Sequence, residues 1–357
     1  MNRFFAAFIP GLRDFIADVI KKRLSDAIIE KLLDGAVIFT TETTYDKLNF
    51  FCFNNIFAVI DVLEESQIKP QSHKGRGEGL LEKHIRVFIN ESRFMNNIIT
   101  DNSKKIKTFR IVVSDENVPA AVDEKLRADA EIKISGLSGL KADRSLPDTE
   151  FWFLYRREKD GINFSVFMKR LTLRPSWGKT LHKGELPPPL AWTLCSLADL
   201  KHSDAVLDPF CGYGSIVQAA MKYFHITNLT ACDNNSEAAG YAAKKFRKQK
   251  GFFLHKCDFF SLSDKLADSS IDAIVTDPPW GQYKKNEEAD FYKRMFEAFA
   301  KLLKDGGRAV VLYDNNENFL KAVPSVFKLE TQIPILLSGK KAVIYRFNFK
   351  KSFHQDT

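Results

Sequence analysis

The sequence predicts an α/β protein in which a parallel sheet flanked by helices ends in an antiparallel hairpin and follows two smaller α+β segments. Three observations predict it. From residue 205 onward, strand and helix patterns alternate regularly, the arrangement that buries a parallel sheet between layers of helix. The last two strand patterns, residues 329–337 and 341–349, are separated by little more than Ser338, Gly339 and Lys340, and so short a connection permits only antiparallel pairing. Ahead of residue 174 the patterns are shorter and mixed, and residues 67–79 form a polar, basic, Gly-containing stretch that reads as a linker or loop.

The elements follow in order. Residues 4–9 read as a strand. Residues 12–33 carry helical spacing, with Leu12, Phe15, Ile16, Val19, Ile20, Leu24 and Ile28 on one side. Residues 36–41 read as a strand, and residues 46–63 as a helix with an apolar stretch. The opening run faintly resembles a leader, but Pro10, Gly11, Arg13 and Asp14 end it early and no small-residue cleavage pattern follows. In the second segment, residues 109–113 are a strand, 120–128 a helix and 131–134 a short strand. Residues 150–155 and 162–168 make a hairpin around the charged turn 156–161. Residues 174–189 have little periodicity and read as a connector. Its Arg174, Trp177, His182 and Lys183 are solvated linker residues first, and residues that close over a ligand or touch RNA only second. A helix over 190–200 precedes the regular part: strands 205–207, 228–232, 252–257, 271–276 and 308–313, with helices 216–224, 236–248, 291–303 and 317–327 between or after them.

At 357 residues the chain is long enough for two or three domains, and 45% hydrophobic with 27% charged residues suits globular ones. The net charge of +8 is spread along the chain and suits a polyanionic partner such as RNA; ordinary solubility charge explains a bias of that size equally well. The five cysteines, Cys52, Cys195, Cys211, Cys232 and Cys257, form no Cys-x-x-Cys pair. That argues against a disulfide framework and a structural zinc, so no metal is expected, and for a reducing cytoplasm. No apolar run approaches the roughly 18 residues that span a bilayer, so no membrane partner is expected.

Chemistry concentrates at the predicted C-terminal ends of the strands, where sheets of this kind bind ligands. The first strand runs into Asp208-Pro209-Phe210-Cys211-Gly212-Tyr213-Gly214-Ser215-Ile216. Gly212 and Gly214 allow a tight turn and a close approach to a ligand, and the helix that follows offers free N–H groups to an anion. The run is neither Gly-x-Gly-x-x-Gly nor a Walker-type loop, which weakens a nicotinamide or ATP reading. Asp233, followed by Asn234, stands where a carboxylate holds ribose hydroxyls. Asp258, followed by Phe259, stands where one accepts from an exocyclic amine. A lone Asp at such a place is more often a helix cap or a solvated turn; the set, taken with Asp277, favours a site.

Asp277-Pro278-Pro279-Trp280 ends the next strand. The Asp277 carboxylate accepts one N–H of a flat amine, the Pro278 carbonyl accepts the other, and Trp280 stacks on the ring. The plainer alternative is a Pro-rich turn with a packed Trp. No cysteine lies beside Asp277, so the nucleophile that a cytosine-C5 methylase needs is missing. Cys211 and Cys257 read as small apolar fillers. Lys284 and Lys285, in the charged run 281–290, read equally well as phosphate contacts and as surface charge.

On these residues, 174–350 resemble a class I S-adenosylmethionine-dependent methyltransferase with its Rossmann-like sheet and reversed last strand. Residues 208–216 resemble the first motif of RNA amino-methylases, with Tyr213 departing from the usual small residue. Asp277-Pro278-Pro279-Trp280 resembles their Asp/Asn-Pro-Pro-aromatic motif. Residues of roughly 80–170 resemble a THUMP domain, through Arg127-Ala128-Asp129 and the strands from Phe151 to Phe167, and residues 1–70 the ferredoxin-like domain that precedes it. The whole chain resembles the THUMP-containing tRNA guanine-N2-methyltransferases. The resemblance implies a ferredoxin-like domain over 1–75, a THUMP-like RNA-binding domain over 80–173 and a methyltransferase domain over 174–357. It implies S-adenosyl-L-methionine as cofactor and tRNA as partner; the chain itself is expected to be a cytoplasmic monomer. The implied cofactor-binding set is Asp208, Pro209, Phe210, Cys211, Gly212, Gly214, Asp233, Asn234, Asp258 and Phe259; the implied catalytic set is Asp277, Pro278, Pro279 and Trp280.

Two alternatives stand beside this reading. One is an adenine-N6 or protein-glutamine methylase, since both use similar tetrapeptides. The other is a non-catalytic RNA-binding protein with a relic methylase domain. The RNA-binding-like first half disfavours a protein substrate, and the intact Gly212, Gly214, Asp233, Asp258 and Asp277 disfavour a relic. Guanine N2 over adenine N6 rests on the resemblance alone.

Overall fold

The structure, a computed structural model, describes residues 1–48, 50–67, 79–91, 106–116, 118–157, 163–172, 181–182, 184–280, 285–314, 317–337 and 339–351. Most of the stretch 67–79, together with Arg174, Trp177, Lys183 and Lys284, lies outside the described residues. The chain forms two units. One comprises Met1–Ala7, Ala17–Asn49 and Asn54–Pro175; the other comprises Phe8–Ile16, Phe50–Phe53 and Ser176–Thr357.

The first unit is built on a nine-stranded sheet. Its strands are β1 (Asn2–Ala7), β2 (Ile28–Leu33), β3 (Ala36–Thr41), β4 (Asn55–Glu64), β5 (Thr108–Asp115), β6 (Val118–Pro119), β7 (Lys141–Ala142), β8 (Thr149–Arg156) and β9 (Phe164–Arg170). They lie in the order β2-β3-β1-β4-β9-β8-β5-β6, with β7 also on β5. β4 is the pivot, antiparallel to β1 on one side and to β9 on the other. The expected hairpin is present, β8 against β9, with residues 158–162 of its turn outside the described ones. Helices Leu80–Asn90 and Glu124–Ser138 bury Ile85, Phe88, Leu126 and Ile134 with Phe109, Ile111, Phe151 and Phe167 of the sheet.

Several local expectations differ from the structure. The helix expected over 317–327 covers only Glu317–Lys321, with Pro324 just beyond it, and Phe327 already opens a strand. The helix expected over 12–33 stops at Arg23, and Ile28–Leu33 is β2. The reason is the Asp34-Gly35 turn, with Gly35 at φ 93°, which folds β-branched Ile28 and Ile29 back onto β3. The strand expected over 131–134 is the middle of the Glu124–Ser138 helix. Asp123 caps that helix by accepting from the Leu126 N–H at 3.0 Å, and Gly139 ends it at φ 71°, so local capping overrides a short β-like run. Among the described residues of 46–63, the helical part is a 3-10 turn, Tyr45–Lys47, before β4.

A buried polar knot joins the middle strands of this sheet. Glu150 Oε1 accepts from Arg110 Nε at 3.0 Å and Nη2 at 2.6 Å. Its Oε2 accepts from Arg170 Nη1 at 2.8 Å and Trp152 Nε1 at 2.9 Å. Arg170 reaches on to the Asn55 side chain on β4. The Glu150 and Arg170 side chains are 3% and 8% exposed, so each ion depends on the other for its solvation.

The second unit holds a seven-stranded sheet of β10 (Ala205–Asp208), β11 (Asn228–Cys232), β12 (Phe252–His255), β13 (Ile271–Thr276), β14 (Leu303–Asp314), β15 (Phe327–Leu337) and β16 (Lys340–Phe349). The order is β12-β11-β10-β13-β14-β16-β15. Every pair up to β14 is parallel, and β16 and β15 return antiparallel, as the short connection requires. Helix Lys285–Leu302 packs an aromatic core onto the sheet, in which Phe296 and Phe299 meet Tyr313, Phe319, Phe327, Tyr345 and Phe347. Chain order reverses at β10, which lies between β11 and β13. In such a sheet the crevice at that reversal is where a ligand fits.

Glu150→Ala leaves Arg170 buried without its counter-charge and should lower the stability of the first unit by about 3–5 kcal/mol. The loss should be read as an earlier urea transition in tryptophan fluorescence. An unshifted midpoint would show that the knot contributes no stability.

Candidate active site

A cleft of about 290 Å³ opens at the C-terminal ends of β10, β11, β12 and β13. Of the residues singled out in the sequence, Phe210, Cys211, Gly212, Asp233, Asn234, Asp258, Asp277 and Pro279 line it. Asp208, Pro209, Gly214, Phe259, Pro278 and Trp280 do not. Phe259 is buried beneath it, its ring 5.6 Å from that of Phe210. Trp280 packs edge-on to Tyr313 at 6.4 Å.

The loop after β10 owes its shape to its glycines and to one carboxylate. Gly212 and Gly214 stand at φ 50° and 82°, in the left-handed region. The Gly212 N–H donates to Asp233 Oδ2 at 2.7 Å, and the Cys211 N–H to the Cys232 carbonyl at 2.9 Å. A Cβ on Gly214 would lie 2.5 Å from the Phe246 ring, whereas one on Gly212 would meet nothing within 4 Å. Gly214 then opens the helix Ser215–Tyr223, whose first N–H groups lack intrahelical acceptors. Burial holds the thiols of Cys211 and Cys232 well above the usual thiol range, so neither is a ready nucleophile.

Each cleft carboxylate has a different setting. Asp233 uses both oxygens on backbone, Oδ2 for Gly212 and Oδ1 for the Asn235 N–H at 2.8 Å. Asp258 caps the short helix Phe259–Ser263, accepting from the Phe260 N–H at 2.9 Å. Asp277 is half-buried as a residue, yet its Oδ1 is shut off from solvent and accepts no hydrogen bond. Burial pushes its carboxyl up to about 7; the Trp280 indole N–H draws it partly back without reaching full hydrogen-bond geometry. Asp208 is fully buried under the loop, and burial lifts it well above the carboxylate range, with the Phe210 amide opposing and Asp233 adding to the rise.

The tetrapeptide after β13 is pinned by a residue that the sequence pattern did not single out. The buried Tyr292 hydroxyl donates to the Pro279 carbonyl at 2.7 Å. Among the described hydrogen bonds the Pro278 carbonyl accepts none. Also unforeseen as cleft walls are Glu185, Ser215 and Phe291, the last 5.8 Å from the Phe210 ring. Glu185 lies in the aperiodic connector, where spacing carries no signal. The described lining contains the carboxylates Glu185, Asp233, Asp258 and Asp277 and no Lys, Arg or His. The cleft therefore suits a ligand with positive charge. No group of metal-ligating side chains occurs among the described residues, and no helix among them is long and apolar enough to cross a membrane.

Residues 175–332 match a family model described as RMKL-like, methyltransferase domain. The U6 snRNA (guanine-N(2))-methyltransferase THUMPD2 of Bos taurus is 28% identical over 207 residues, which cover 56% of this chain and 40% of that protein. The tRNA (guanine(10)-N2)-dimethyltransferase of Methanocaldococcus jannaschii is 25% identical over 309 residues, 77% of this chain and 84% of that one. The chain thus spans less than half of the bovine relative and most of the archaeal one. Among solved structures, TrmN from Thermus thermophilus is similar with a TM-score of 0.78 at 19% identity, over 98% of this chain and 100% of that one. That likeness shows the fold, which is the Rossmann-like class I methyltransferase sheet.

Gly212→Ala carries only the left-handed backbone penalty, roughly 1–2 kcal/mol. Gly214→Ala adds the clash with Phe246 and should lower Tm further. Equal losses in thermal melts would rule that clash out.

Proposed function

We propose that the chain transfers a methyl group from S-adenosylmethionine to the exocyclic N2 amine of a guanosine in structured RNA, with tRNA as the substrate class. The observation that carries this reading is the Asp277 carboxyl, with Oδ1 sealed and unpartnered at the rim of a cleft walled by carboxylates. A buried acceptor without a donor is a place for an N–H that arrives with a ligand. The relatives support the choice of base, since both are named as guanine-N2 enzymes, one for tRNA and one for U6 snRNA.

The residues fit the donor. Asp233 has acceptor capacity left beyond its two backbone bonds and is placed to hold ribose hydroxyls, and Asp258 to accept from the adenine amine. Phe210 and Phe291 supply apolar walls, and the start of helix Ser215–Tyr223 suits a carboxylate. Bound there, S-adenosylmethionine supplies an electrophilic methyl group on a positively charged sulfur.

The chain's own residues prepare the acceptor. A guanine amine is a weak nucleophile because its lone pair is delocalised into the ring. Asp277 and the Pro278 carbonyl together accept its two N–H bonds and turn the lone pair out of the ring plane, toward the cleft. The Tyr292 hydroxyl, by holding the Pro279 carbonyl, keeps that turn from swinging. Positioning of this kind contributes several kcal/mol. With its carboxyl raised to about 7, Asp277 is also a better proton acceptor than an ordinary Asp, and it takes the proton that the methylated amine releases. Residues 80–173, with 1–75 ahead of them, are the part of the chain that binds RNA.

Asp277→Ala should reduce methyl transfer by at least about a hundredfold while S-adenosylmethionine binding by calorimetry survives. Near-normal turnover would sink the assignment. Because the carboxylate form is required, kcat/KM should rise with pH to a plateau with its midpoint near 7. Stability runs the other way. A carboxyl raised in the folded state binds more protons folded than unfolded between pH 3.8 and about 7, so its contribution is lost as pH rises through that window. Asp277→Asn, which does not titrate, should therefore melt higher than the wild type at pH 8. A lower Tm for it at pH 8 would contradict the raised carboxyl.

A further inference from the structure

Glu185 is a cleft carboxylate that neither the donor's nucleoside nor the acceptor base requires. Its side chain is 8% exposed, although it stands in a connector without regular structure. Oε2 accepts from the His182 N–H at 3.1 Å, and Oε1 from the Ser215 hydroxyl at 3.4 Å. Among the described residues its one cationic neighbour is Lys245, at 3.8 Å, the outer limit of an ion pair. Burial holds Lys245 below the usual lysine range, so it is a weakly solvated ion itself. A carboxylate this buried, with two hydrogen bonds and an ion pair only at the outer limit of distance, has acceptor capacity left.

Its position within the cleft separates it from the other three carboxylates. Asp233, Asp258 and Asp277 follow β11, β12 and β13, whereas Glu185 sits beside Ser215, the first residue of helix Ser215–Tyr223. Free N–H groups and a buried carboxylate therefore lie side by side. That juxtaposition is complementary to a zwitterion, an α-carboxylate on the N–H groups and an α-ammonium on the acid.

We propose that Glu185 holds the α-ammonium group of the amino-acid tail of the methyl donor. The assignment rests on the donor reading above. It makes Glu185 a donor-binding residue that distinguishes a nucleoside with an amino-acid tail from one without.

The test is calorimetry on the full-length chain with three probes. S-adenosylmethionine carries both ammonium and sulfonium, S-adenosylhomocysteine the ammonium alone, and 5′-methylthioadenosine neither. Glu185→Gln should weaken the first two by about ten- to a hundredfold and leave the third unchanged. Glu185→Asp keeps the charge but withdraws it by one methylene, and should give a smaller loss in the same pattern. That second variant decides the matter if the Gln variant folds poorly. A loss confined to S-adenosylmethionine would overturn the proposal, because Glu185 would then act on the sulfonium through its field alone. An equal loss for all three probes would overturn it in favour of a role in shaping the connector. A wild-type chain that binds none of the three would defeat the donor reading itself, a result distinct from either.

Discussion

The cleft depends on one hydrogen bond, from the Gly212 N–H to Asp233 Oδ2 at 2.7 Å. It ties the loop after β10 to the end of β11, and Asp233 passes the constraint on by accepting from the Asn235 N–H. Asn235 in turn caps the helix Ser236–Phe246, its side chain accepting from the N–H groups of Glu237 and Ala238. The far end of that helix returns to the loop, because Phe246 occupies the space that a side chain on Gly214 would need. Loop, strand end and helix are thus fixed against one another by short-range contacts. A free backbone amide at Gly212 would not be held by a rigid partner, and the cleft would lose its floor.

The same chain carries a net charge of +8 and a cleft lined by carboxylates. The two facts belong to different length scales. Net charge acts over a Debye length of about 8–10 Å in salt and favours encounter with a polyanion. Inside a cleft with apolar walls, fixed carboxylates a few ångströms from the ligand outweigh it. A net positive charge with an acidic pocket suits the proposed reading, in which an anionic macromolecule is met while a cationic small molecule is held. Charge summed over the sequence could not have revealed the second property.

What was legible in the sequence was what depends on near neighbours. β10 to β14, the final antiparallel pair and the glycine loop follow from alternation, glycine and short connections. Asp233, Asp258 and Asp277 were legible because strand ends in a parallel sheet share one edge. The helix over 12–33 was overextended because apolar residues at Leu24 and Ile28 keep helical spacing even though Asp34-Gly35 turns the chain into a hairpin. Residues 131–134 read as a strand although Asp123 and Gly139, several residues away, fix both ends of a helix. Glu185 and Tyr292 escaped notice for a different reason. Their importance lies in partners 30 and 13 residues away, Ser215 and Pro279, which only the folded chain brings close.

Burial also separates two aspartates that sequence treats alike. Asp208 ends β10 and Asp277 follows the neighbouring β13, and desolvation raises both. Asp208 is wholly enclosed, and the charges of Asp233 and Asp277 add to the rise that burial causes. The enclosed one supports the loop from beneath. The one at the cleft, with its value near 7, is left free to ionise where a ligand can reach it. In the proposed reaction a proton acceptor belongs beside the amine, and the enclosed Asp208 stands one strand away from that place. The division of roles follows from which side chain the loop covers, since the residue type and the strand-end position are the same in both.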